Sequence, residues 1–268
     1  MRHTLPKNPQ FYVTAPQDCP YLANQVERKL FTALYGSNSR RLNNSLSKQG
    51  FRRSQNVLYR PSCSNCNACM SARISSSDFK PSKSQKRILL RNKDLVRVVS
   101  PPLATDPQYE LFKRYINLRH PNGGMSDMDA DDFAAMIEET NVDSKIIEYY
   151  ADKNGTLELV SFSLVDLLDD GISMVYSVFN PDFNERSLGT YMIIDHNALA
   201  LEMKCKFVYL GYWVKGSSKM DYKKRFSPLE VFTDDKWICA SKAGDKKFNI
   251  DNRSSKKHGV PIYLPSDQ

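Results

Sequence analysis

The chain has no apolar run long enough to span a bilayer. Its opening residues, Met1-Arg2-His3-Thr4-Leu5-Pro6-Lys7, lack the apolar core of a secretory signal. No membrane partner is therefore expected, and the protein is assigned to the cytoplasm. In that compartment its six cysteines read as thiols, metal ligands or catalytic groups, not as a disulfide framework. Histidine is scarce, with four in 268 residues. His3 and His258 lie near the termini and His196 falls inside a predicted helix, which leaves His120, ahead of Pro121-Asn122-Gly123-Gly124, to line a site. No Ser-hydrolase or Cys-protease signature accompanies it, so covalent catalysis is not indicated. There is no internal repeat strong enough to claim.

What is present is ordinary globular composition, 41% hydrophobic and 25% charged, in a length that suits one large domain or two small ones. The 38 Lys and Arg exceed the 30 Asp and Glu, for a net charge of +8. A basic surface concentrates polyanions, so nucleic acid is the first partner to consider.

Along the chain, Asp18 and Cys19-Pro20 read as a helix start, and Leu22, Val26, Leu30 and Leu34 recur at helical spacing down to Gly36. A short helix carrying Leu42 and Leu46 should stop at Gly50. Strands are expected within Phe51–Arg60 and at Ala72–Ser75, on either side of a Cys-rich turn. Residues 80–93 are the most basic segment. As a helix they place Lys83, Lys86, Arg87 and Arg91 on one face, which is either a solvated surface or a phosphate-binding one. Pro101-Pro102 marks a boundary. Helices are predicted over Asp106–Arg119 and Asp129–Thr140, then strands over Lys145–Ala151, Leu157–Leu168 and Ile172–Phe179. A helix at Ser187–Met203 and a strand at Phe207–Val214 follow.

The expected class is α+β: a mixed N-terminal half over 1–100 with the Cys-rich turn, a catalytic half over 101–240, and a loose polar tail over 241–268. In the second half the order helix, helix, antiparallel strands, loop, helix, strand is that of a GNAT-like acyltransferase core. Arg186, Ser187, Leu188 and Gly189 stand between a strand and a helix, where a loop of this kind turns backbone N–H groups toward a phosphate. A glycine chosen for close helix–strand packing reads equally well there. Cys63-x2-Cys66-x2-Cys69, with Cys19 as a fourth ligand, has spacing suited to zinc or an iron–sulfur cluster, or to three reduced thiols packing a turn.

Several segments taken together resemble the aspartate/glutamate leucyltransferases, bacterial relatives of the arginyl-tRNA–protein transferases. They are Gly50-Phe51-Arg52-Arg53-Ser54, Tyr59-Arg60-Pro61 with the three cysteines, and Phe79 to Arg87 with Arg91-Asn92 and Asp94-Leu95. Arg119-His120 with Gly123-Gly124-Met125, Ser173-x-Val175-Tyr176 and Ser187-Leu188-Gly189-Thr190-Tyr191 continue the pattern. Leu210-Gly211-Tyr212-Trp213 and Lys219 through Phe226 complete it, so the resemblance spans roughly residues 10–235. It implies transfer of leucine from leucyl-tRNA to proteins beginning with Asp or Glu, marking them for N-degron degradation. An aminoacyl ester is already activated, so the chemistry requires no cofactor. Arg52, Arg53 and Arg60 are candidates for the acceptor carboxylate, and Lys83, Lys86, Arg87 and Arg91 for the tRNA. The loop Arg186–Gly189 is the candidate cradle for the aminoacyl end, and Tyr176 the candidate donor to the oxyanion. Wider-family relatives carry an iron–sulfur cluster on N-terminal cysteines, but here Cys19 lacks a neighbouring second cysteine. Arginyl transfer onto the same acceptors, acetyl transfer from coenzyme A, and a non-catalytic RNA-binding module with structural zinc are the alternatives.

Overall fold

The structure, a computed structural model, describes residues 8–119, 121, 123–244, 262 and 264. In chain order its first elements are β1 (Tyr12–Val13), β2 (Gln17–Asp18), β3 (Val26–Glu27), β4 (Lys29–Ala33), α1 (Ser39–Lys48), β5 (Arg52–Ser54), β6 (Val57–Pro61) and β7 (Cys69–Ser75). Next come α2 (Lys83–Arg91), β8 (Val96–Ser100), α3 (Asp106–Arg119), α4 (Ala130–Glu138), β9 (Ser144–Lys153), β10 (Thr156–Leu168) and β11 (Gly171–Phe179). A 3₁₀ turn over Pro181–Arg186 leads into α5 (Leu188–Glu202) and β12 (Phe207–Val214). A second 3₁₀ turn, Ser218–Arg225, precedes β13 (Leu229–Thr233), β14 (Lys236–Cys239) and α6 (Ala240–Gly244).

Two compact units result: Met1–Arg73 with Leu210–Gln268, and Ile74–Tyr209. This spatial division differs from the linear one drawn at residue 100, because strands distant in sequence pair with one another. Pro101-Pro102 separates β8 from α3 inside the second unit.

The first unit holds an antiparallel sheet in the order β1-β4-β6-β5, with β2 and β3 as a separate hairpin. The helix expected from Asp18 to Gly36 is therefore replaced by three strands. The spacing of four that linked Leu22, Val26, Leu30 and Leu34 is also a multiple of the strand period of two. The burial follows β4: Thr32 and Leu34 are buried on one face, whereas Val26 is exposed. Helix α1 does stop short of Gly50, which sits at φ +81, and a Cβ there would fall 2.7 Å from the Phe232 ring. The β13–β14 hairpin packs at this point. Trp237 Nε1 donates to the Lys48 carbonyl (2.9 Å), and the Arg73 guanidinium stacks 4.2 Å above the indole while bonding Glu230. Of the expected tail, residues 241–244 finish α6, and 245–261, 263 and 265–268 lie outside the described residues.

In the second unit β8, β9, β10 and β11 form consecutive antiparallel pairs. β12 joins parallel to β11, with Gly171–Ser173 opposite Phe207–Tyr209. A parallel neighbour needs a crossover, which α5 supplies. Strand alternation sorts the two faces. Ile146, Phe162 and Leu164 pack with Leu111, Phe112 and Ile116 of α3 and Phe133 and Ile137 of α4. Tyr149 and Ser163 face the other way, toward Tyr191 and Met192 of α5. On that side Tyr149 donates to Asp195 (2.7 Å), which also receives both bonds of Arg97 Nη1 at 3.1–3.2 Å. One side chain of α5 links stability to pH because it is sealed from water. His196 is fully buried, neither ring nitrogen has a partner among the described residues, and burial lowers its pKa from 6.5 to about 3.

Between pH 6.5 and 3 the unfolded chain binds a proton at His196 that the native state refuses. Native stability is therefore expected to fall with decreasing pH by about 1.4 kcal/mol per unit from this group. The His196→Leu variant should lose that component of the slope in denaturant titrations from pH 7 to 4. Superimposable slopes for the two proteins would show that His196 is not held neutral.

Candidate functional site

In the second unit the candidate cradle follows β11 directly. The Asn180 Oδ1 accepts the Asp182 N–H (3.0 Å) and caps the 3₁₀ turn. Ser187 then takes a left-handed conformation, φ 52, and its carbonyl receives the N–H groups of Thr190 and Tyr191, both at 3.0 Å. Leu188 and Gly189 open α5, where N–H groups have no intrahelical acceptor and the helix dipole favours an anion. A Cβ on Gly189 would lie 3.1 Å from Phe179, so this glycine also serves the close helix–strand approach that was the other reading of it. Arg186 does not project toward a ligand. Its guanidinium forks onto Asp94 at 2.9–3.1 Å, which holds the Asp94 carboxyl below its ordinary range.

The basic segment that supplies Asp94 is helical where expected. Helix α2 starts with a capping box in which Ser82 Oγ accepts the Gln85 N–H and Gln85 Oε1 accepts the Ser82 N–H. Lys83, Lys86, Arg87 and Arg91 are exposed. Arg91 bonds the Glu185 carbonyl, and Asn92 Nδ2 donates to the Arg186 carbonyl at 2.8 Å. Tyr176 on β11 is half-buried beside Phe112, and its hydroxyl has no hydrogen-bond partner among the described residues. Burial, assisted by Tyr115, raises its pKa, so the phenol keeps its proton at neutral pH. His120 lies outside the described residues.

In the first unit Cys19, Cys63, Cys66 and Cys69 line one cavity with Tyr21, Glu27, Lys29, Tyr59 and Tyr212. The fold thus gathers the four cysteines named as ligands. Burial, then the neighbouring Cys66, Cys19 and Cys63, push the Cys69 thiol up to about 12. Cys63 Sγ lies 3.8 Å from the Arg28 carbonyl. Four thiols are a donor set for zinc or an iron–sulfur cluster. The side-chain arrangement does not match that chemistry, since among the described residues no three Cys, His, Asp or Glu are grouped to share an ion.

The three arginines expected at the acceptor carboxylate separate by depth. Arg52 and Arg53 are buried, and Arg53 Nη1 donates to the Gln55 carbonyl (2.9 Å). Arg60 is half-buried, its guanidinium 4.8 Å above the Phe51 ring. Arg52 lies against Gly211, where φ is +83 and a Cβ would come within 3.3 Å of the guanidinium. Next to Gly211, the Tyr212 hydroxyl donates to the Tyr59 carbonyl (2.9 Å), while the Tyr212 carbonyl accepts Lys223 Nζ at 2.5 Å. Lys223 is 4% exposed, and burial together with Arg52 lowers its pKa to about 7. Sequence reasoning gave no site role to Asp94, Asn92, Tyr212 or Lys223. The available signal was that Asp94 is the one acid closing a run of bases.

Two family models match the chain: Arginine-tRNA-protein transferase, N terminus, over residues 17–87, and Arginine-tRNA-protein transferase, C terminus, over 107–233. The aspartate/glutamate leucyltransferase of Ruegeria pomeroyi is 61% identical over 237 residues, 88% of this chain and 86% of that protein. That of Cereibacter sphaeroides strain ATCC 17023 is 55% identical over 252 residues, covering 93% and 90%. The Dinoroseobacter shibae protein of the same name is 56% identical over 285 residues, covering 100% and 99%.

Lys223 makes a pH prediction of the same sense as His196, displaced to the alkaline side. From about pH 7 to 10.5 the unfolded chain carries a proton that the native amine has released, so the native state gains stability as pH rises. Relative to Lys223→Met, the wild type should gain up to about 1.4 kcal/mol per pH unit between pH 7 and 9. Parallel stability curves for the two proteins would mean that the buried amine stays charged.

Proposed function

The chain belongs to the aspartate/glutamate leucyltransferases, within the arginine-tRNA-protein transferase family, and from that membership we propose that it transfers leucine from leucyl-tRNA to proteins beginning with Asp or Glu. It is an acyltransferase. The observation that carries the reading is identity of 56% along essentially the whole length of a relative bearing that name. No helix among the described residues is long and apolar enough to cross a membrane, and we assign the reaction to the cytoplasm. Marking the acceptor for N-degron degradation is the biological role we propose.

The α-amine of the acceptor attacks the ester carbonyl that joins leucine to the terminal adenosine. A C–N bond forms, the ester C–O bond breaks, the adenosine hydroxyl leaves with a proton, and the amine gives up one. With a pKa of about 7.7–8.0, a useful fraction of protein N-termini is neutral at neutral pH. The enzyme's work is orientation and stabilisation of the developing oxyanion.

For the fold of the catalytic part we propose a GNAT-like core, supported by the antiparallel run β8–β11 followed by α5 and a β12 parallel to β11. The loop Arg186–Gly189 would hold the 3′-terminal nucleotide through the N–H groups of Leu188 and Gly189, with Arg186 shaping the loop through Asp94. Tyr176, protonated, would donate to the developing oxyanion. Lys83, Lys86 and Arg87 would meet tRNA phosphates, with Arg91 at the end of the same helix. Of the arginines proposed for the acceptor carboxylate, Arg60 is the accessible one, and Arg52 and Arg53 would support it from below. The four cysteines line one cavity without being grouped to share an ion among the described residues, so occupancy by zinc or an iron–sulfur cluster is a matter for elemental analysis, and no step of the transfer is routed through them.

The expected result is incorporation of label from leucyl-tRNA into a peptide starting with Asp, and none into a Gly-starting control. Transfer from arginyl-tRNA instead would keep the class and overturn the donor. No transfer from either would sink the transferase reading. A Lys83/Lys86/Arg87→Ala variant should bind leucyl-tRNA more weakly, with its log–log salt slope shallower by about 2–3. An unchanged slope would remove α2 from the tRNA interface.

A further inference from the structure

Within the second unit, the loop that carries the candidate cradle is gripped from two helices. The α2 side holds its C-terminal part. Arg91 bonds the Glu185 carbonyl, Asn92 bonds the Arg186 carbonyl at 2.8 Å, and Asp94 takes the Arg186 guanidinium in a fork at 2.9–3.1 Å. From α3, Arg114 pairs with Asp182, and Arg119 reaches Asn184 at 3.4 Å while its guanidinium stacks on Phe179 at 5.5 Å. The loop needs such support. Ser187 is a non-glycine residue at φ 52, and the turn before it is kinked at Phe183. A side chain in the left-handed region costs about 1–2 kcal/mol locally, and it persists where the surroundings over-determine it.

The contacts from the end of α2 and the turn after it are not equivalent. Arg91 and Asn92 hold main-chain carbonyls, whereas Asp94 takes both nitrogens of a planar fork and so sets the direction of the residue immediately before Ser187. Asp94 lies in the turn after α2, the helix whose exposed basic face is formed by Lys83, Lys86 and Arg87.

We propose that Asp94 is a positioning residue for leucyl transfer: through Arg186 it locks the loop 185–189 to the turn that ends helix α2, so that the helix that binds tRNA phosphates and the N–H groups that receive its aminoacyl end move as one part. This rests on the reading of the loop as the donor cradle. Asp94 touches no reacting atom and works through Arg186. Because its carboxylate lies at the surface, 45% exposed, removing its charge leaves the cores of the unit intact.

Two measurements test it. In steady-state kinetics, Asp94→Asn should raise KM for leucyl-tRNA by roughly tenfold, the equivalent of about 1.4 kcal/mol, while KM for the acceptor peptide and the thermal midpoint stay at wild-type values. Asp94→Glu, which retains the charge, should recover part of the loss. In hydrogen exchange on the free protein, the amides of 185–190 should exchange faster in Asp94→Asn, and the rest of α5 should not. The exchange arm needs no substrate, so it reports on the brace even if the chain transfers a different amino acid. Wild-type exchange at 185–190 would overturn the brace. Faster exchange with an unchanged KM for leucyl-tRNA would overturn its coupling to the donor. A loss spread equally over both substrates and tracking the thermal midpoint would reduce Asp94 to a structural residue.

Discussion

Helix α5 approaches strand β11 so closely at its first turn that a Cβ on Gly189 would stand 3.1 Å from Phe179. That approach sets the height of the whole helix above the sheet, and much of the second unit follows from it. The helix closes over Tyr149, buries His196, and brings Asp195 within reach of Arg97 and Tyr149. It also decides where the first N–H groups of α5 stand. The same residue serves packing and the candidate cradle, so the two readings of Gly189 are one geometry seen from its two sides.

Desolvation governs the chemistry these residues can offer. Burial keeps Tyr176 protonated, pushes the Cys69 thiol up and brings Lys223 down toward neutrality. The thiol and the phenol therefore both keep their protons at neutral pH. A reaction whose donor is an ester needs little more than that: its acyl group is already activated, and orientation with a hydrogen-bond donor at the carbonyl lowers the remaining barrier. The exposed ion pair of Asp94 and Arg186 contributes little to stability on its own. Its value lies in direction, because a forked pair fixes an angle as well as a distance.

Much of the second unit was legible before any coordinates. Asp106–Arg119 and Phe207–Val214 coincide with α3 and β12, and the three strands between 144 and 179 have the expected order. Long, strongly periodic segments with clear turn residues between them leave few alternatives. The region 18–36 misled because four-residue spacing suits a helix and a strand alike, and only pairing with β1 and β6 chooses between them. β13 and β14 went unseen for a related reason: they are short, and their stability comes from Lys48, Arg73 and Gly50, which lie far away in the chain.

By itself the sequence determined the class of the molecule, its basic character, the helical face of Lys83, Lys86 and Arg87, and the position of the loop Arg186–Gly189 after a strand. These are properties of composition and local period, which neighbouring residues encode. The tertiary structure alone decided that Arg186 answers to Asp94, 92 residues away along the chain, that Arg52 and Arg53 are buried while Arg60 is reachable, and that Cys19 shares a cavity with Cys63, Cys66 and Cys69. Burial and charge pairing arise when distant segments meet, and no local pattern carries that information.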